Sequence, residues 1–294
     1  MACLASRGRS EVHLDLHGVG SASAHSHHHL QQAHCHQRIQ VALSACKLGE
    51  ALLHQPGNAS APANPYIKEE IMLKSLLRNA RCALHLHILV AADADAEAVR
   101  GWLLRAHSPW QPVTYSFVTI DDEAVRERLA AIKGPSQGYM GYCGLARMFF
   151  TEFLRHEERV LWLDTDTVVN GDICQLWLHF DRFNATQIIG YPGDPSLTST
   201  NLHHPFGLCS CVALMDLVKM RAAGWAGSFM AAALAAHVRD VNPAEAFPYG
   251  DQDVLRIVQR HYPDSAYRLP SAWNVMPYCP AYDADMLVNY TVQI

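Results

Sequence analysis

Apolar residues recur along this chain with two periods, and the periods alternate. IQVALSAC (39–46) is a nearly continuous apolar run that predicts a first strand, and the Pro/Asn/Gly-rich QPGNASAPANP (55–65) that follows predicts a loop. IKEEIMLKSLLRNA (67–80) repeats at helical spacing, LHLHILV (84–90) predicts a strand, DADAEAVRGWLLRAH (93–107) a helix and PVTYSFVTI (112–120) a third strand. Between Gly138 and His156 an apolar stripe of Tyr142, Leu145, Phe149, Phe150, Phe153 and Leu154 predicts one amphipathic helix, with Arg147 beside the stripe. That helix leads into RVLWL and a central strand, and QIIGYP (187–192) and CVALMDL (211–217) predict further strands. WAGSFMAAALAAHVRD (225–240) predicts another helix. Strands alternating with helices imply parallel pairing by crossovers, with both sheet faces covered. The expected fold class is therefore α/β.

Before residue 37 the pattern lapses. Residues 1–36 are rich in His, Ser, Gly and Ala, with His25, His27, His28, His29, His34 and His36 crowded together, and are read as a leader or polar tract outside the fold. The segment 37–294 reads as one domain, with no internal repeat and no linker that would split it.

Composition narrows the function classes. Half of the residues are hydrophobic and 17% charged, enough for a large buried core. Lys plus Arg number 23 against 28 Asp plus Glu, a formal charge of -5, so no basic face for nucleic acid is expected. No apolar run approaches the roughly 18 residues a membrane helix needs, so no membrane segment is predicted. The nine cysteines are an odd number without C-x-x-C spacing, so disulfides are possible but are not expected to be the scaffold. Sequons at Asn58, Asn184 and Asn289 give weak support to a lumenal location.

The chemistry concentrates in VLWLDTDTVVNGD (160–172). Alternate residues of a strand share a face, so Asp164 and Asp166, with Thr165 between them, are expected to crowd two carboxylates into one volume at the strand's carboxyl edge. Such a pair requires a cation, a shared proton or open water. Three readings follow. One is a solvated strand end, since Asn-Gly-Asp is itself a turn signal. The second is a Mg²⁺ or Mn²⁺ site holding a diphosphate, with Arg147 adding charge-assisted hydrogen bonds. The third is a haloacid-dehalogenase-type phosphohydrolase, with Asp164 as nucleophile and Asp166 as acid/base. Against the third, three strands precede the aspartates. Arg147 has an alternative partner in Glu152, GDQD (250–253) has an alternative role as a helix start, and Trp273 one as core.

Several blocks occur in one order: IQVALSAC, IMLKSLL (71–77), GLARMFFTEFL (144–154), RVLWLDTDTVVNGDICQLW (159–177), GLCSCVALMDLVKMR (207–221), YGDQDVLRIV (249–258) and LPSAWNVMP (269–277). Together they resemble the family 8 glycosyltransferases, most of all the glucoside xylosyltransferases and the LARGE-like xylosyltransferases. The resemblance covers about 37 to 280 and implies a GT-A type, Rossmann-like domain with a mostly parallel central sheet. It implies a retaining hexosyl- or pentosyltransferase that moves a sugar, xylose or glucose, from a UDP-sugar to a glycan hydroxyl with Mn²⁺ or Mg²⁺. By position, Asp164 and Asp166 would hold the metal, and Arg147 would face the diphosphate. Asp251 and Gln252 would lie under the transferred sugar, Trp273 and Asn274 would line the sugar and acceptor pocket, and Ala45 and Cys46 would meet the uracil through their backbones. Thr165 and Ser210 complete the expected donor contacts. The resemblance also implies a Golgi-lumenal setting. Two departures stand out. Cys209, Ser210 and Cys211 replace the family's Asn-x-Gly, and the sequence stops at Ile294, short of the family's C-terminal histidine segment. A non-catalytic relative is therefore the alternative within the family, and the domain is expected to be truncated at its C-terminus.

Overall fold

In the computed structural model the residues described are 11–12, 38–46, 67–106, 113–132, 141–192, 210–240, 247, 250–274 and 291–293. The His-rich cluster, Cys209, Asn58 and Asn289 lie outside them.

The strands are β1 (Glu11–Val12), β2 (Ile39–Ser44), β3 (Leu84–Val90), β4 (Val113–Thr119), β5 (Arg159–Leu163), β6 (Thr167–Val169), β7 (Ile189–Pro192), β8 (Val212–Asp216), β9 (Ala266–Leu269) and β10 (Thr291–Gln293). Eight form one sheet in the order β1-β4-β3-β2-β5-β8-β7-β9, while β6 and β10 pair separately. Pairing is parallel through β4, β3, β2 and β5 and again between β7 and β9. β8 is the exception to the parallel pattern that the alternating periods predict. It runs antiparallel to both β5 and β7, with Leu163 opposite Val212. The reversal has a consequence for the site, because the start of β8 meets the end of β5. β1, inside the segment expected to lie outside the fold, pairs antiparallel with β4 through Glu11 and Val12.

The helices cover both faces. On one side α1 (Ile67–Asn79), α2 (Asp93–Ala106) and α6 (Ile173–Trp177) pack on Val41, Leu43, Leu86, Ile88 and Leu161, all of them buried. On the other, α4 (Gly141–Leu145), α5 (Phe150–Phe153), α7 (Leu217–Ala222), α8 (Met230–Asp240) and α9 (Asp251–His261) close over Ala42, Leu89, Val160, Trp162 and Ala213. α3 (Asp122–Ala131) joins this second layer through Val125 and Leu129, and Asp121 caps it by accepting from the N–H groups of Glu123 and Ala124. Its sequence carries the signal, an Asp cap followed by an i, i+4 apolar pair, which the broader reading passed over.

The single helix expected over 138–156 is broken. α4 gives way to a 3₁₀ turn at Ala146–Phe149 before α5 resumes, and residues 138–140 lie outside the described residues. Every residue from Leu145 to Phe150 is buried, so contacts on several sides set the pitch rather than one apolar stripe.

A staple holds the layer beneath the aspartates. The Val169 N–H donates to Ser75 Oγ (2.9 Å), Asn79 Nδ2 donates to the Val169 carbonyl (2.6 Å), and the Arg81 N–H donates to Asp172 Oδ1 (3.1 Å). A Cys82–Cys174 disulfide, Cα–Cα 6.0 Å across 92 residues of sequence, closes the same seam. Cys46 and Cys211 are also disulfide-bonded, so disulfides contribute more to the scaffold than the spacing of the cysteines predicts.

Candidate active site

β5 ends at Leu163, and the carboxylates follow in the turn Asp164–Thr165–Asp166 that leads into β6. The expected strand-end projection is therefore corrected to a turn. Both carboxylates are half-buried, Asp164 on the side of β5 that carries Trp162 and Asp166 at the end of the turn. The backbone fixes Asp164 from both sides: its N–H donates to the Cys211 carbonyl (2.8 Å), and its carbonyl accepts from Thr167 Oγ1 (2.8 Å).

Arg147, 5% exposed in the 3₁₀ turn, reaches across to this carboxylate. Its guanidinium pairs with Asp164 Oδ1 at 2.8 Å and with Asp251 Oδ2, and it donates to the carbonyl of Ser210 (3.1 Å) and to Ser210 Oγ (2.9 Å). It lies over the Trp162 ring, 5.0 Å from the centroid, and the same indole donates Nε1–H to Asp164 Oδ1 (2.7 Å). The alternative partner of Arg147 is thereby excluded, for Glu152 pairs with Arg128 at 3.1 Å.

Asp251 is 1% exposed and begins α9, after Gly250 at φ 61°. A side chain at that φ would be strained, so glycine permits the abrupt entry that aims Asp251 inward. The helix-start reading of GDQD and the site reading therefore coexist. α9 delivers Asp251, the antiparallel β8 delivers Ser210, and β5 delivers Asp164 to one guanidinium.

The electrostatics follow from this burial. Arg147 is disfavoured as a cation by desolvation, but Asp251 and Asp164 outweigh that and raise its pKa above the usual arginine range. The Asp164 carboxyl is pushed up to about 6 by burial first, and then by Asp251 and Asp166, against the opposing pull of Arg147 and Trp162. On the rim, Glu69 in the first turn of α1 is raised by burial and by the Asp166 charge.

Two carboxylates thus pair with one buried guanidinium, and the Asp166 charge acts on Asp164 from the same turn. Asp164 receives both of its side-chain hydrogen bonds on Oδ1, leaving Oδ2 without a partner among the described residues. Asp166 makes no side-chain hydrogen bond or ion pair among them. Free carboxylate oxygens beside other acids suit a hard divalent cation. Among the described residues no three or more His, Cys, Asp or Glu side chains are grouped so as to hold a metal ion by themselves.

The other expected site residues are not drawn into this cluster. Ala45 is buried, its N–H spent on the Leu89 carbonyl, and Cys46 sits in a disulfide. Gln252 is half-buried on α9, next to Asp251. Trp273 is 7% exposed and stands edge-on to His179 at 6.3 Å, within the core on the α1 side of the sheet, and Asn274 is buried beside it. Thr165 lies half-buried between the aspartates. Two participants were missed by the sequence reading. Trp162 was legible, being i, i+2 from Asp164 on one strand face, whereas Glu69 lies 97 residues from Asp166 and has no local signal.

An open α/β sheet with an acidic turn and an arginine clamp at the carboxyl end of its central strand is the architecture of a GT-A type glycosyltransferase. Fold comparison agrees. The apo form of mouse xyloside xylosyltransferase 1 superposes with a TM-score of 0.63 at 20% identity, covering 83% of this chain and 89% of that one. The galactosyltransferase LgtC in complex with donor and acceptor sugar analogues superposes at 0.57 and 16%, covering 87% and 86%. Residues 68–186 match the family described as glycosyl transferase family 8. The chain belongs to that family. Its similar curated relatives include xylosyl- and glucuronyltransferase LARGE2 of Mus musculus, 30% identical over 217 residues, and LARGE1 of Gallus gallus, 29% identical over 214. Each alignment covers 69% of this chain but only 29% and 27% of the relative, so the chain spans less than a third of their length. The phosphohydrolase reading is overturned here. The family and fold are those of glycosyltransferases, and Asp164, clamped by Arg147 and Trp162, is not presented as a nucleophile.

Proposed function

We propose that this domain is a retaining transferase that moves a sugar, xylose or glucose, from a UDP-sugar to a glycan hydroxyl. The observation that carries the reading is the Arg147 bridge, which ties the acidic turn to the first residue of α9 at the carboxyl edge of the sheet. A divalent cation, Mn²⁺ or Mg²⁺, would be held by Asp164 and Asp166, and when bound it supplies Lewis-acid neutralisation of the departing diphosphate. Arg147 holds Asp164 in place and keeps positive charge next to the turn. Asp251 keeps a buried negative charge one guanidinium away, suited to steadying positive charge that develops on the transferred sugar. Ser210 braces Arg147 through its hydroxyl and its carbonyl. Gln252, Trp273, Asn274, Ala45, Cys46 and Thr165 remain proposed donor and acceptor contacts, carried by position in the family pattern. Donor choice turns on few contacts, because one hydroxymethyl group separates glucose from xylose.

The setting proposed is the Golgi lumen. The Cys82–Cys174 disulfide supports it, since such bonds persist in oxidising compartments. Asn184, exposed on the loop before β7, offers a sequon in the same setting. No helix among the described residues is long and apolar enough to cross a membrane.

A thermal-shift panel with UDP, UDP-glucose and UDP-xylose, each with and without Mn²⁺, tests the reading. Ligands that bind only the native state raise the melting temperature, by about 2.7 kcal/mol of added stability at a hundredfold excess over Kd. Stabilisation that needs nucleotide and metal together is the expected result. Stabilisation without release of the transferred sugar to any acceptor would point to the non-catalytic relative, which the disulfide-bonded Cys211 in the departing Cys-Ser-Cys segment favours. No shift with any ligand would remove the proposal.

A further inference from the structure

We propose that Asn184 carries an N-linked glycan, at the end of the sheet opposite the acidic turn; the proposal rests on the reading of the chain as lumenal. Asn184-Ala185-Thr186 is an acceptor triplet with no proline at its middle position, and all three residues are exposed. The fold also fixes which atom of the amide is presented. Asn184 Oδ1 accepts from the Thr186 N–H (3.0 Å), from Thr186 Oγ1 (2.9 Å) and from the Gln187 N–H (3.0 Å). The Asn184 N–H in turn donates to Gln187 Oε1 (2.9 Å). With its oxygen committed to the turn, the side chain makes no hydrogen bond through Nδ2 among the described residues. Asn79 is the opposite case, its Nδ2 donating to the carbonyls of Ser75 (3.0 Å) and Val169 (2.6 Å).

Modification changes only that nitrogen. An N–C bond forms between Nδ2 and the anomeric carbon of an oligosaccharide held on a lipid diphosphate. The sugar–diphosphate bond breaks, the diphosphate leaves with the bonding pair, and Nδ2 gives up one of its two protons. The amide oxygen keeps its acceptor role, so the turn that Asn184 closes persists with the glycan attached. The topology sets the distance from the acidic turn. β7 runs antiparallel to β8 and β8 antiparallel to β5, so the loop before β7 lies where β5 begins, beside Arg159 and Asp216. Two contacts hold it there: the Asp216 N–H donates to the Ile188 carbonyl (2.9 Å), and Lys219 Nζ donates to the Asn184 carbonyl (2.6 Å). The full length of β5, five residues, separates that end from Asp164, about 16 Å along an extended chain. A bulky, hydrated chain at Asn184 therefore leaves the Arg147 cluster open.

The test is peptide mapping of the full chain isolated from the cells that make it, with variants produced in the same cells. N-glycans are released by a peptide amidase in heavy-oxygen water, which turns each glycosylated Asn into a mass-labelled Asp. The label is expected at Asn184 in wild type and in Thr186→Ser, and its complete loss in Thr186→Ala, which lacks the hydroxyl that the acceptor triplet requires. Release should proceed on the folded protein, because Asn184 is exposed; release only after denaturation overturns the outward placement of Nδ2. Label at Asn58 or Asn289 without label at Asn184 overturns the assignment and leaves the lumenal reading standing. No label at any of the three removes the lumenal reading, and the glycan with it. Label that persists in Thr186→Ala also overturns the proposal, since it then arises from deamidation. The melting shift with UDP and Mn²⁺ should be the same before and after release; a shift that appears only after release overturns the placement of the glycan away from the acidic turn.

Discussion

The two aspartates of one turn live in opposite surroundings. Asp164 sits in a compensated site where an arginine, an indole and the Cys211 carbonyl hold it. Asp166, two residues on, is half-buried with no side-chain hydrogen bond or ion pair among the described residues. The interior carries its counter-charge within the fold, and the rim leaves its counter-charge to be supplied. A buried ion pair contributes little net stability when intact and costs a great deal when halved. Uncompensated acids at a wet rim cost little, but they bind cations.

The largest effect that would break this comparison is Arg147→Met. It should destabilise the protein by about 3–5 kcal/mol, measured by urea unfolding, because Asp164 and Asp251 stay buried without a cation. Loss below 1 kcal/mol would show that water already reaches the cluster. A pH series comes next. The Asp164 carboxyl is raised from 3.8 to about 6 in the folded state. The native protein therefore binds more protons than the unfolded chain between those values, and this group's contribution favours folding below pH 4. It is lost as pH rises through 6, by up to about 3 kcal/mol at 1.36 per unit. Asp164→Asn should flatten that fall, and metal binding should strengthen across the same window.

Trp162→Phe sharpens the comparison at smaller scale. Losing the Nε1–H bond to a charged group should cost about 2 kcal/mol, with a further upward shift of the Asp164 carboxyl visible by NMR titration. Asp166→Asn should leave stability within about 0.5 kcal/mol, as surface substitutions do, yet abolish the Mn²⁺-dependent part of the UDP thermal shift. The smallest effect is the half-buried Arg128–Glu152 pair. Glu152→Ala should cost below about 1 kcal/mol and leave nucleotide binding untouched.

What was readable from the chain is what near neighbours in sequence decide. The alternating periods placed β2, α1, β3, α2 and β4 within a residue or two of their observed bounds, because propensity and periodicity act over a single element. D-x-D before an Asn-Gly-Asp turn, GDQD before an apolar helix, and Arg147 upstream of the central strand could be named in advance as chemistry. The family followed from the order of these blocks. Other features depended on packing. The 138–156 stripe looked like one helix because a 3₁₀ turn leaves no periodic trace when all sides are buried. Trp273 reads as pocket or as core in sequence, and only the fold shows it buried and edge-on to His179.

The amino-acid order by itself determined the strand-and-helix alphabet, the two aspartates and the arginine, since each rests on contacts no further than a turn or a strand away. Tertiary structure alone decided that β8 would reverse, that Arg147 would pair with both Asp164 and Asp251, and that α1 would hold the backbone of Val169 through Ser75 and Asn79. Those outcomes join residues 17 to 104 positions apart, where loop closure and burial, not local preference, choose the partner.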